Sequence, residues 1–299
     1  DLHSFPTRRS SDLTLYPSVL MLCTYFVVAA YRIFLLAQQK DVRWFAISHS
    51  IEYGIVGFAL LLCYYRLSEQ KPGFSMALAK RMFAKSRYYI VAGLMVTIFQ
   101  NTDHVMLKLM VGDAENGFYT TAVTCVSMTQ FVYLAIIDSA RPLILTSKSQ
   151  DTARFETEMA SLYSLILYLA LAQSVFFTVL AKPIITILYG SAYMPAVPVT
   201  RIVVWYVAFS CMGTVRNIWI LAEGKHSILW IINLSGALFN VVLNAVLIPY
   251  VGACGAALAS SLTQFFANFV MGFILKPIRP NNRLILRSLD PRWFSSLSR

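Results

Sequence analysis

A chain of 299 residues with 58% hydrophobic and only 13% charged side chains, at a mean hydropathy of +0.62, cannot clothe a water-facing surface, which excludes a soluble globular domain. The formal net charge of +11 does not point to nucleic acid, because the basic residues gather in three places between apolar runs, where Lys and Arg mark the cytoplasmic side of a membrane. Cys23, Cys63, Cys125, Cys211 and Cys254 lie in or beside apolar runs without Cys-x-x-Cys or Cys/His spacing, so they read as packing residues, and no metal site or cofactor is expected.

In chain order, the first segment, 1–13 (DLHSFPTRRSSDL), is polar and lacks the apolar core of a signal peptide. It reads as a translated sequencing adapter and is set apart from the fold. Apolar runs follow at Thr14–Leu36, Trp44–Tyr65, Tyr88–Met110, Phe118–Leu145, Ser161–Ala181, Ala196–Leu221, Ile228–Ile248 and Ala253–Leu275. Each can cross a bilayer, since about 20 residues at 1.5 Å rise span the ~30 Å hydrocarbon core. The expected fold class is therefore all-α, a polytopic transmembrane helical bundle of about eight spans.

The basic clusters are Arg66 to Lys71 with Lys80, Arg81, Lys85 and Arg87; then Arg141, Lys148 and Arg154; then Lys276, Arg279, Arg283 and Arg287. Alternating spans put all three on one side, the cytoplasm, together with both native ends. The breaks 38–43, 111–116, 182–195 and 250–252 then face outward, Lys40 and Arg43 running against the bias. In 68–87, Met76, Leu78, Met82 and Phe83 alternate with basic residues in helical rhythm, as in an amphipathic helix on anionic lipid or a solvated connector. Residues 277–299 read as a cytoplasmic tail.

No phosphate loop, zinc-binding helix or nucleophile–His register is present, and no enzyme is expected. The informative residues are polar groups placed where lipid should be, which usually face a bundle interior or an aqueous pathway. Arg32 and Glu52 sit at comparable depths on the first two spans, as a structural ion pair or as a substrate or ion site. Gln100, Asp103, His104 and Lys108 share a face of the third, with an Asp103–Lys108 contact as the structural alternative. On the sixth, Arg216 and Asn217 are candidates for an anionic ligand, since a guanidinium forks onto phosphate oxygens. Snorkelling of Arg216, or its pairing with Glu223, is the alternative. Asp138 is expected to pair with Arg141, and Arg201 to snorkel. Asn240 and Asn244 share a face of the seventh span and read as hydrogen-bonding glue, while Gly252 and Gly255 open a last span rich in small residues that lets backbones pack closely.

Four fragments in order carry a resemblance. Asp103-His-Val-Met-Leu107 with Gly112 and Gly117-Phe-Tyr119-x-x-Ala122 is similar to a hairpin of polysaccharide flippases; Leu188-Tyr-Gly190-x-x-Tyr193-x-x-Ala196 is similar to an outer-loop signature of the same proteins. Asn240-x-x-x-Asn244 and Leu247-Ile-Pro-Tyr-Val-Gly252-Ala-Cys-Gly255-Ala-Ala complete the set. Across Thr14 to Lys276 the chain thus resembles a Wzx-like flippase of the multidrug/oligosaccharidyl-lipid/polysaccharide exporter superfamily.

The resemblance implies a fold of two six-helix lobes working by alternating access. Segment 14–66 would be the last two helices of the N-terminal lobe, 67–87 the inter-lobe link and 88–276 the C-terminal lobe, with the first four helices absent. It implies a bacterial inner-membrane protein that turns a polyprenyl-pyrophosphate-linked oligosaccharide, such as an O-antigen-type repeat unit, from inner to outer leaflet among membrane lipids and polysaccharide assembly proteins. Arg32, Arg216 and Asn217 would meet the cargo, and Glu52 and Asp103 would carry a coupling proton or sodium ion. A cation-coupled drug exporter of the same fold and a membrane polysaccharide polymerase or ligase are the alternatives, the last needing longer outer loops than these.

Overall fold

The computed structural model describes residues 7–67 and 75–290, without the side chains of 7–18, 42, 46, 63–64, 66–67, 85 and 87–100. The described residues form helices joined by short turns, and no strand occurs among them. The chain divides into two compact units, Asp1–Ala84 and Lys85–Arg299. Among the described residues six helices are long and apolar enough to cross a membrane, and a bent pair raises this to seven. The protein is therefore an all-α, multi-pass bundle. The expected third span lies partly outside the described side chains.

The first unit holds α1 (Thr7–Ala37) and α2 (Val42–Leu67), an antiparallel hairpin turned at 38–41. Val28, Leu35 and Ser48 are buried at the contact, while Phe26 and Tyr53 point outward, as apolar side chains do when their solvent is lipid. The boundary with the second unit falls within α3 (Met76–Met110), so the basic Met76–Ala84 stretch runs on without a break as helix.

The second unit is built round α7 (Ala196–Ala222), which packs against α4 (Asp113–Ser127), α5 (Gln130–Gln150), α6 (Thr152–Tyr189) and α9 (Ala253–Phe265). Its small and β-branched residues Val199, Val203, Val207, Ala208, Cys211 and Val215 are all buried. Such residues let neighbouring backbones approach when lipid supplies no hydrophobic drive. The helix α8 (Leu229–Val251) buries every fourth residue, Ile232, Gly236, Asn240, Asn244 and Ile248, and lays that stripe on α9. A Cβ on Gly255 would lie 2.5 Å from the Leu247 carbonyl oxygen, so only glycine permits the α8–α9 approach. Gly252 turns the chain there at φ 58°, and the Glu115 carboxylate accepts from the Ala253 N–H at 2.8 Å, satisfying a donor at the start of α9.

Three features depart from the sequence expectations. The fourth span is not continuous: α4 and α5 meet at a 42° bend. Ser127 and Thr129 hydroxyls there donate to the carbonyls of Thr124 and Val126, the local side-chain competition that bends helices, and Gln173 Nε2 from α6 donates to Thr129 Oγ1 at 2.6 Å. The last span contains a π-helical turn, Phe266–Val270, between α9 and α10 (Met271–Ile274). The start of the expected tail is instead α11 (Arg279–Ser288), which packs on α6 with Asn281, Asn282, Leu284 and Ile285 buried.

Three basic residues of the second unit tie helix ends together. Lys148 from α5 pairs with Glu223 at the end of α7, Lys225 reaches Glu223 at 3.5 Å and the Pro277 carbonyl at 3.0 Å, and Arg287 reaches Glu156 at 3.3 Å. The Lys148 ammonium beside Glu223 holds its carboxyl below the usual carboxylate range.

Candidate functional site

Asp103, on the last turns of α3, is only 8% exposed, yet it has no cationic partner among the described residues. Its charge is met by neutral donors from three other helices. Tyr119 Oη from α4 donates to Oδ2 at 2.7 Å, Asn244 Nδ2 from α8 donates to Oδ1 at 2.5 Å, and Ser260 Oγ from α9 also donates to Oδ2. Asn244 Nδ2 donates in addition to Asn240 Oδ1 at 3.0 Å, while the Asn244 carbonyl oxygen is buried without a partner among the described residues. Hydrogen bonds to an ionised group contribute about 1.5–3 kcal/mol each, so this set offsets much of the desolvation of one carboxylate.

One side of the cluster opens on a cavity of about 240 Å³. Its wall is Asp103, Tyr119, Ser127, Gln130, Tyr206 and Ser260, closed by valines of α4 and α7. Ser127 and Gln130 flank the α4–α5 bend, so the bend brings polar groups to the wall that a straight span would carry elsewhere. This lies below the ~300–1,000 Å³ of ordinary small-molecule pockets. That suits an ion with its hydration shell and is too small for an oligosaccharide.

The other residues singled out in the sequence fall in different surroundings. Arg32 donates to Glu52 Oε2 at 2.8 Å and to Ser48 Oγ at 3.0 Å, with His49 Nδ1 at 3.4 Å, so the depth-matched ion pair exists within the first unit. Lys108 pairs with Asp113 at 3.1 Å rather than with Asp103, and His104 lies 3.0 Å from Asn116 Oδ1. Gln100 lies outside the described side chains. Asp138 and Arg141 pair at 2.9 Å.

Arg216 is 3% exposed and does not line the Asp103 cavity. Its Nη1 donates at 2.7 Å to the Ala267 carbonyl in the π-helical turn, while Nε has no partner among the described residues. Glu223 is committed to lysines, so it is not the partner of Arg216. Asn217 is exposed while Arg216 is buried, so the two do not form one patch; adjacent helical residues point about 100° apart. Asn240 and Asn244 are both buried, but Asn244 serves the carboxylate as well as the packing. Sequence reasoning passed over Ser260, Tyr206 and Gln130, whose types are ordinary and whose meeting depends on the bend and on the α8–α9 approach. Tyr119 stood in a motif, but its partner was not legible.

A multi-pass membrane protein with a carboxylate-centred cavity inside its bundle is the class defined so far. The family model described as "Polysaccharide biosynthesis protein" matches residues 17–198, and the chain belongs to that family. An uncharacterized membrane protein of Methanocaldococcus jannaschii is 26% identical over 234 residues, covering 76% of this chain and 44% of that protein. The chain thus spans less than half the length of this relative. No solved structure matches it.

Proposed function

We propose that this chain is part of a membrane flippase that carries a polyprenyl-pyrophosphate-linked oligosaccharide from the inner to the outer leaflet, with Asp103 as the site of a coupling proton or sodium ion. The observation that carries the reading is a carboxylate buried in an apolar bundle, held by uncharged donors and fronting a polar cavity, in a member of a polysaccharide biosynthesis family. Intramembrane carboxylates of this kind are costly and mark ion or proton pathways. The Arg32–Glu52 pair is a second candidate charge site, in the first unit.

A drug/cation exporter of the same architecture is the competing reading, favoured by a cavity wall that holds one carboxylate and no basic residue. Reconstitution separates the two. The full-length protein in liposomes should expose a fluorescent polyprenyl-pyrophosphate-linked sugar to a membrane-impermeant reagent faster than Asp103→Asn does. Export of small cationic dyes, with no acceleration of lipid-linked sugar, would replace this reading with the competing one.

A further inference from the structure

The π-helical turn Phe266–Val270 gives the last span one residue more than a regular α-helix would spend there. The Met271 N–H bonds to the Phe266 carbonyl, five residues back, and leaves the Ala267 carbonyl, four back, to other donors. Single π turns inside α-helices are rare and concentrate at functional sites.

Three side chains hold this one. Arg216 of α7 donates to the Ala267 carbonyl at 2.7 Å, Asn282 of α11 donates to the Phe269 carbonyl at 2.9 Å, and Asn268, within the turn, donates to the Phe209 carbonyl of α7 at 3.0 Å. Two glycines make room for this grip: a Cβ on Gly213 would fall on the Asn268 amide, and one on Gly272 would fall on the Asn282 amide.

The part of the grip that can let go is α11. At ten residues it is shorter than the ~12–15 at which an isolated helix is even marginal in water, so it owes its helical form to docking. Tyr163 of α6 donates to Asn281 Oδ1 at 2.8 Å, Leu284 and Ile285 are buried, and Tyr168 of α6 donates to the Leu289 carbonyl at 3.0 Å.

On the other side of the turn, Ser260 donates to Asp103 from α9, which runs straight into Phe266. One extra residue offsets the helix beyond it by about 100° of rotation and 1.5 Å of rise. With the turn in place, Ser260 faces Asp103 and α11 faces α6 at once; in a continuous α-helix one of the two contacts must break. We infer that α11 is a latch: docked, it holds the π turn and keeps Ser260 on Asp103, and when either contact is lost the turn closes to α-helix and the other contact is released. The coupling is internal to the second unit and needs no cargo, so it stands apart from the transport reading.

Amide hydrogen exchange of the full-length protein in nanodiscs tests this, with α11 as the reporter. Ser260→Ala, a small change on α9, should speed exchange of the α11 amides about fivefold or more, the lower end of coupling between sites. Tyr119→Phe removes a donor to the same carboxylate oxygen from α4, which does not run into the turn, and should leave α11 exchange as in the wild type. In the opposite direction, Asn282→Ala should speed modification of Asp103 by dicyclohexylcarbodiimide several-fold, because both contacts report one equilibrium. Unchanged α11 exchange in Ser260→Ala, an equal acceleration in Tyr119→Phe, or an unchanged carbodiimide rate in a folded Asn282→Ala would each overturn the latch. Should Asn282→Ala fail to fold, the contrast between Ser260→Ala and Tyr119→Phe decides the question by itself.

Discussion

Asp103 and Arg216 are opposite charges buried to a similar degree in one helical unit, yet what surrounds them differs in kind. Asp103 is held by side chains of three other helices and fronts open volume. Arg216 is tied to a backbone carbonyl that a π-helical turn presents, and it does not line that cavity. Burial alone therefore does not mark a pathway. What separates the two is whether the charged atom borders space that a mobile ion could enter, and whether its partners are side chains that can exchange it or backbone that cannot.

The sharpest way to break this comparison is to remove both charges in the full-length protein and measure transfer per folded molecule. Asp103→Asn should reduce lipid-linked sugar transfer by about 5- to 150-fold, the range of a coupling free energy of 1–3 kcal/mol, with normal protein level and loss of dependence on the ion gradient. Undiminished, gradient-driven transfer would strip Asp103 of its role.

Arg216→Met should instead lower stability by about 1–3 kcal/mol, because the Ala267 carbonyl loses its donor, while transfer per folded molecule stays near wild type. Thermal unfolding in detergent alongside the transfer assay decides this. A large transfer defect in a stable Arg216→Met protein would restore that arginine as a cargo contact.

Gly255→Ala tests whether the Asp103 cluster depends on the α8–α9 approach. The added methyl meets the Leu247 carbonyl, an overpacking that costs about 1–3 kcal/mol and should pull Asn244 and Ser260 out of register with the carboxylate. The same unfolding measurement reads the cost, and the Asp103-dependent transfer should decline with it.

The smallest effect belongs to the partly exposed charges that tie helix ends together. Glu223 has its folded-state pKa depressed by Lys148, so its stabilisation is present above the ordinary glutamate pKa and is lost as pH falls through the depressed folded value. Glu223→Gln should therefore be less stable than wild type at neutral pH by no more than about 1 kcal/mol, with the difference closing in the acid range. A difference independent of pH would mean that packing, not charge, ties α5 to α7.

The membrane-spanning segments were legible because hydropathy and length are local properties: the spans read at Ala196, Ile228 and Ala253 begin within two residues of the helices observed. The Arg32–Glu52 and Asp138–Arg141 pairs were legible too, since depth along neighbouring spans and spacing along one helix place them. The bend at Met128–Thr129 was not, because it arises from hydroxyls that turn back on their own carbonyls and from Gln173 on another helix. The burial of Asn281 was hidden for a similar reason: it sits in a polar, basic segment, and only its contact with Tyr163 at 2.8 Å shows it to be interior.

Taken alone, the order of amino acids determined that this protein lives in a membrane, that it is helical, roughly where it crosses and which residues pay no heed to the lipid around them, because all of these follow from composition and period along one helix. Which of those polar residues share a site was decided by the tertiary structure. Asp103 finds Tyr119, Asn244 and Ser260 only when the α4–α5 bend and the glycine-permitted α8–α9 contact bring four helices to one point, and hydrogen bonds that span up to 157 residues of chain leave no trace in local pattern.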